Sequence, residues 1–372
     1  MTVLQEINSL KKTPLYDRHV RLNAKMVDFG GWSMPVYYSG IISEHQWTRQ
    51  SCSVFDVSHL GEIHVKDSGA FQFLQYRLTN DLKKLRDGKI LYSLLCDEKG
   101  FALDDILIYQ NKLDDYYLIV NAAGIARDYE ALKKYAPEDV VLDNLSDKMA
   151  CVAVQGPKSE AVLEKLFGFE LKSLPYYFFK EQKFMDEPVW VSRSGYTGED
   201  GFEIFSSNEL AGPIWDRLVE KGKAQGVLPA GLGARNTLRL EAGNVLYGND
   251  LDERTTPLEA GLSWAVSFDK GGFVGRDMLL KQKESGLRKR LVGFKVLDKP
   301  IAREHYSIFK GGRKIGVVTS GSFGPTAGCN IGLGYVEKGN ELPGTQIEIK
   351  IHGRFVKAEV VKLPFIPLRH KR

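Results

Sequence analysis

Cysteine is scarce in this chain, and none of it is clustered. The 372 residues include four, Cys52, Cys96, Cys151 and Cys329, with no C-x-x-C pair and no tight Cys/His spacing. That excludes a disulfide framework or a zinc site and reads as buried thiols in a reducing compartment. The seven histidines (His19, His45, His59, His64, His305, His352 and His370) form no H-E-x-x-H or other ligand spacing, so no metal is expected. No run approaches the ~18 apolar residues needed to span a bilayer. Residues 1–19 have neither an apolar signal core nor an Arg/Ser-rich transit composition. These absences lead us to expect a cytoplasmic protein with no membrane partner. Charge is nearly balanced at +4, with no clustered basic stripe, which argues against nucleic acid as a partner and fits an acidic small molecule or an acidic protein. Also missing are G-x-S-x-G, a supported Cys/His dyad, a glycosidase-type carboxylate pair, G-x-G-x-x-G and the Walker A loop. There is no low-complexity segment and no short-period repeat.

What is present is ordinary globular sequence, 43% hydrophobic and 26% charged, long enough for two or three domains. The segment Asp28–Tyr38 is too rich in glycine and aromatics for a regular helix. Apolar spacing predicts helices over 42–49, 70–82, 126–135, 158–167 and 210–224. Strands are predicted over 62–66, 90–95, 103–109, 116–121, 150–154, 189–193 and 201–205, with 90–121 forming a β-meander. Beyond about residue 285 the texture changes to short strands (291–296, 314–319, 332–336, 346–351 and 355–363) at sandwich or barrel spacing. Ser285–Arg290 is the linker candidate. The fold class is α+β with a terminal all-β domain.

Three stretches carry candidate chemistry. Ala102–Tyr109 reads as a strand, in which Leu103, Asp105 and Leu107 share one side and Asp104, Ile106 and Ile108 the other. Whichever side is buried, one carboxylate goes in with apolar neighbours, and it requires a hydrogen-bonding partner or a ligand. Ser194–Glu203 places three glycines in a hairpin that brings Tyr196, Glu199 and Glu203 to its mouth. These are either solvated surface groups, or Glu203 accepts paired N–H donors from an aminopyrimidine ring. Leu228–Gly243 opens a helix with glycines, an arrangement suited to anions. Arg235 and Arg239 lie on one face of it, as ion-pair partners or, for Arg235, as a carboxylate clamp. Of the many tyrosines and phenylalanines nearby, one or two could flank a flat ring.

Taken together, these stretches resemble the aminomethyltransferase family of the glycine cleavage system, the T-proteins. The resemblance rests on Thr13–Tyr16, Asp28–Pro35, Phe55–His59, Leu91–Ser93, Leu103–Ile106, Val154–Pro157, Gly195–Glu199, Gly231–Arg235, Leu238–Gly243, Phe273–Arg276 and Thr319–Ser322, spread along the whole chain. It implies a three-domain cloverleaf around a central folate site, with two interleaved α+β domains and a C-terminal all-β barrel or jelly roll. The expected division is 1–60, 119–175 and 235–284 for the first domain, 61–118 and 176–234 for the second, and 285–372 for the third. The implied activity takes an aminomethyl group from the lipoyl arm of the partner H-protein, releases ammonia and makes 5,10-methylenetetrahydrofolate. Tetrahydrofolate is then the co-substrate, with neither flavin nor metal. By position, the resemblance makes Asp105 the catalytic carboxylate and Asp104 its structural neighbour. It assigns folate contacts to Tyr92, Tyr176 and Tyr196, to Ile119 and Asn121 through backbone and amide, to Glu203 through the pterin, and to Arg235.

This sequence departs from the family pattern at Leu60, Asn236, Gly324 and Ala327. Asn236 stands where the family usually has Asp, so an ion pair is expected to be missing there. Two other readings of the fold are a folate-dependent demethylase and a non-enzymatic assembly factor for iron–sulfur proteins. The second group carries a cysteine in a Lys-Gly-Cys-Tyr signature, whereas this chain reads Lys270-Gly-Gly-Phe. Arg235, Arg288, Lys289 and Arg290 are candidates for meeting an acidic partner, the last three being equally readable as a solvated linker.

Overall fold

The computed structural model describes residues 10–371. Residues 1–9, half of the stretch read above for a targeting signal, lie outside it. Three bodies surround one cavity.

The first body is a five-stranded antiparallel sheet ordered Ile90–Cys96, Ala102–Lys112, Asp115–Val120, Gly61–Lys66 and Val141–Asn144. Its first three strands are the expected meander. Helices Ala70–Arg77 and Ile125–Lys133 belong to the same body, and its core gathers Ile63, Val65, Leu74, Ile106, Ile108, Leu118 and Leu132. The second body is a six-stranded sheet ordered Phe179–Phe184, Glu187–Ser192, Gly201–Ser207, Met149–Gln155, Cys52–Asp56 and Val227–Pro229, the last pair parallel. Its core includes Val54, Val152, Val154, Phe202, Ile204 and Trp215. The two sheets meet through Phe55, Tyr109, Ile119, Ala153 and Phe205. The third body is a closed six-stranded barrel, from Lys289–Val296 to Arg354–Val361, filled by Phe294, Ile308, Val318 and Ile349.

The first body is a single insertion in the second, between Asp56 and Met149, so hydrogen bonding draws the boundaries differently from the expected interleaved division. A cut at 119 falls inside Asp115–Val120, whose register pairs Glu62 with Ile119 and Val65 with Tyr116. The strands between 179 and 207, expected with 61–118, join Met149–Gln155 instead through pairs such as Glu203 with Ala153. Period-two alternation identifies a strand but not its neighbour. In the barrel, Ser307–Lys310 is a strand that the sequence pattern did not suggest. Half of the linker candidate is structured: helix Arg276–Ser285 runs to its start, the first barrel strand opens at Lys289, and only Gly286–Arg288 connect them.

Helix Leu232–Glu241 sits at the junction of all three bodies. Its glycine-rich entry is not a vacant anion site. Glu44 fills it, accepting from the backbone N–H groups of Gly231, Tyr38, Ser39 and Gly40 at 2.6–3.2 Å. A Cβ on Gly231 would lie 2.5 Å from the backbone of Val36, which accounts for glycine there. At the far end, the buried Glu241 accepts from Arg49 (3.1 Å) and from the backbone N–H groups of Thr326 (2.7 Å) and Ala327 (3.0 Å), and lies 3.1 Å from His45 Nε2. One carboxylate therefore joins helix Ile41–Gln50, the junction helix and a barrel turn.

Candidate active site

A cavity of about 480 Å³ opens where the three bodies meet. Tyr92, Asp105, Ile119, Asn121, Tyr176, Tyr196, Glu203 and Arg235 all line it. The eight positions therefore converge, although they come from two sheets, three loops and the junction helix.

Asp105 reaches the cavity because Ile106, Ile108 and Asp104 take the core-facing side of the strand, leaving Leu103, Asp105 and Leu107 on the other. Its Oδ2 accepts from the Tyr92 hydroxyl at 3.0 Å and its Oδ1 from Asn121 Nδ2 at 3.0 Å. Burial, and next the charge of Asp104, push the carboxyl up to about 7; the bonds from Tyr92 and Asn121 only partly oppose this. A carboxylate poised near neutrality in a cleft is a signature of a functional group. Asn121 serves the carboxylates through its amide as well as lining the cavity. It also donates to Asp104 from Nδ2 (2.7 Å) and from its backbone N–H (2.9 Å). Tyr92 is fixed in turn by stacking on Trp264, with ring centres 5.1 Å apart.

Glu203 lies on Gly201–Ser207, in the hairpin expected from the sequence, opposite Ser192. Its Oε2 takes the Ser194 hydroxyl at 2.5 Å and the Tyr109 hydroxyl at 3.4 Å, which leaves Oε1 for the cavity. Burial raises its pKa, while Ser194, Arg235 and Tyr109 hold it down. Glu199 takes no part in the cavity; it is buried against Arg49 at 3.1 Å. Gly195 and Gly201 let Gln155 pack into the hairpin, because a Cβ at either would lie within 2.5 Å of its amide.

Arg235 sits 4.4 Å from the centre of the Tyr196 ring. Among the described residues no carboxylate makes an ion pair with it at 4 Å or less, so a half-buried cation is left facing the cavity beside Glu203. Arg239, one turn on, is consumed structurally by Asp250 (2.6 Å), Ser320 (2.9 Å) and Asn236 (2.9 Å). Asn236 therefore accepts from Arg239 without charge, and the ion pair of Arg239 is with Asp250. Tyr196 donates its hydroxyl to the Val245 carbonyl, and Tyr176 stacks on His370 with centres 4.1 Å apart.

Two residues of the site were missed by sequence reasoning. Trp264 lies in the single 3-10 turn Ser263–Ala265, too short to carry a readable periodicity. Tyr109 does have a signal: a period of two along its strand places it on the same side as Asp105.

Residues 15–270 match the family model described as the GCVT N-terminal domain, and residues 289–366 match the glycine cleavage T-protein C-terminal barrel domain. The chain belongs to the glycine cleavage T-protein family. It is 48% identical to an aminomethyltransferase of Caldanaerobacter subterraneus subsp. tengcongensis, covering 98% of both chains. It is 46% identical to one from a Thermoanaerobacter species, covering 98% of this chain and all of that one. The crystal structure of aminomethyltransferase T from the Bartonella henselae glycine cleavage system superposes with a TM-score of 0.93 at 35% identity, over 98% of this chain and all of the other. The demethylase and assembly-factor readings find no support among these relatives. No helix among the described residues is long and apolar enough to cross a membrane, and no three His, Cys, Asp or Glu side chains are grouped to hold a metal.

Proposed function

We infer that the protein is the tetrahydrofolate-dependent aminomethyltransferase of glycine cleavage, which releases ammonia from an aminomethyl-lipoyl H-protein and forms 5,10-methylenetetrahydrofolate. The observation that carries this reading is Asp105, a half-buried carboxyl poised near neutrality on the wall of a cavity that also holds Glu203 and Arg235. The residues fit a reduced folate. Glu203 Oε1 is placed to accept paired N–H groups of an aminopyrimidine, Tyr176 and Tyr196 flank a flat ring, and Arg235 is left for a ligand carboxylate. Tetrahydrofolate supplies the nucleophilic amine, which explains the lack of any serine or cysteine nucleophile.

The chain's own work is then positioning and electrostatics. Tyr92 and Asn121 each fix one oxygen of Asp105. The ionised carboxylate favours positive charge developing on the transferred carbon. Leu60, Leu107 and Ile119 make part of the wall apolar, which strengthens that interaction.

Turnover of lipoylated, aminomethyl-loaded H-protein is the test, with ammonia and methylenetetrahydrofolate followed with and without tetrahydrofolate. Folate-dependent release of both at a catalytic rate is expected; folate binding with no release would reject the reading. If Asp105 acts as an anion, kcat/KM falls tenfold per pH unit below about 7.

For the partner, Arg290 is on the cavity wall and Lys289 lies 3.8 Å from Glu259, so this basic run borders the mouth. If it steers an acidic H-protein, KM for that protein rises with ionic strength while kcat holds. A KM independent of salt between low and physiological ionic strength would rule the steering out.

A further inference from the structure

Strand Ile90–Cys96, which carries Tyr92, is the outer strand of its sheet, so one edge of its backbone has no strand to bond. Two buried loop residues, Thr79 and Asn80, take that place. The Thr79 N–H donates to the Leu94 carbonyl at 3.1 Å, and Thr79 Oγ1 accepts from the Leu94 N–H at 3.2 Å. The Asn80 N–H donates to Ser93 Oγ at 3.0 Å, and Asn80 Nδ2 donates to the Tyr92 carbonyl at 2.8 Å. The same two residues hold the segment that carries Trp264. Thr79 Oγ1 donates to the Ala265 carbonyl at 2.8 Å, and the Thr79 carbonyl accepts from the Ser267 N–H at 2.9 Å. Asn80 Oδ1 accepts from the Ser267 hydroxyl at 3.2 Å, from Lys84 Nζ at 2.8 Å and from the Asp81 N–H at 2.9 Å. Three donors around Oδ1 and a carbonyl facing Nδ2 fix the orientation of this amide. Its backbone carbonyl is held in turn by Lys270 Nζ at 2.9 Å.

We propose that Asn80 is a positioning residue for the reaction, setting the Tyr92–Trp264 stack so that the Tyr92 hydroxyl is aimed at Asp105. This rests on the role given to Asp105. The stack joins two segments far apart in the chain, and the Asn80 side chain bonds to both of them. Hydrogen bonds weaken steeply with misalignment. The hold of the Tyr92 hydroxyl on Asp105 Oδ2, at 3.0 Å, therefore depends on where the strand edge and the indole place the ring. The charged and titratable groups about Asn80 are Lys84, Lys270 and Asp81. Those about Asp105 are Tyr92 and Asp104, with Tyr177 and Tyr196 beyond the Tyr92 ring.

Asn80→Asp tests the arrangement. It is isosteric and keeps the three donors on one oxygen, beside two lysines, but it sets an acceptor against the Tyr92 carbonyl. The Tyr92 hydroxyl then loses its hold, and the acid limb of kcat/KM should rise from about 7 by about one pH unit. That costs roughly fivefold at pH 7 and almost nothing at pH 9. Tyr92→Phe should move the limb as far, and adding Asn80→Asp to it should move the limb no further. A shift that persists without the Tyr92 hydroxyl is a charge effect of the new carboxylate, and it overturns the proposal. So does lower activity at every pH with the limb unmoved, the mark of a purely structural role. If Asn80→Asp does not fold, Lys84→Ala replaces it, because Lys84 is exposed and its loss frees Asn80 Oδ1. The limb should then rise by a smaller step that again vanishes with Tyr92→Phe, and no step overturns the proposal. A readout without turnover is acrylamide quenching of Trp264, which is 60% exposed and is assigned by its loss in Trp264→Phe. Quenching should increase in the folded variant as the stack loosens; unchanged quenching overturns the proposal. If Tyr92→Phe leaves the limb in place, the role of Asp105 fails, while quenching still decides whether Asn80 sets the stack.

Discussion

Asp105→Asn should lose turnover by roughly 10²–10³-fold and yet melt at a higher temperature than the parent. The loss follows from removing the carboxylate that the proposed reading sets beside the reacting carbon while leaving Glu203 and Arg235 to bind folate, so folate affinity should change little. The gain follows from linkage. The carboxyl titrates near 3.8 in an unfolded chain and near 7 in the folded one. Between those values the folded state holds a proton that the unfolded state has released, so stability falls as pH rises through the window and levels off above it. The full difference is about 4 kcal/mol as an upper figure. An amide avoids it. Thermal melts at pH 5 and pH 8 should therefore differ less in the variant, and its advantage of several degrees should appear at pH 8. A variant that melts lower than the parent at pH 8 would remove the premise that Asp105 is held in the cavity against its solvation.

Glu203→Gln should act on the other axis. One oxygen of Glu203 is already engaged by Ser194 and Tyr109. A glutamine that keeps those bonds must turn its NH₂ toward the cavity, placing a donor where ligand N–H groups need an acceptor. Losing two charge-assisted bonds and leaving donors opposed costs about 3–5 kcal/mol, so Kd for tetrahydrofolate should rise by roughly 10²–10³. At saturating folate, kcat should fall far less. Calorimetric titration reads the first quantity and steady-state kinetics the second. An unchanged Kd would move the pterin away from Glu203.

The contrast between these variants also marks what could be read without coordinates. Alternation along 102–109 identified the two faces of the Asp105 strand, but which one was core depended on helices Ala70–Arg77 and Ile125–Lys133 packing from elsewhere. Five of the six barrel strands were legible because glycine and proline turns punctuate them; Ser307–Lys310 was not. The interleaving came from family resemblance, and its boundaries were misplaced because strand pairing is a long-range property. The helix entry at Gly231 looked like an anion site, and an anion does occupy it. That anion is Glu44, 187 positions away, a distance no local pattern reports.

The buried carboxylate of Glu241 has a bearing on how such a protein can be rebuilt or inherited. Two of its donors are backbone N–H groups of the barrel turn, while its own helix carries Arg235. A chimaera that exchanges barrels between relatives must therefore import a turn of matching shape, whatever side chains it carries. The C-terminal barrel looks like a detachable module in the chain order, but the architecture makes it a cofactor of the other two bodies' geometry.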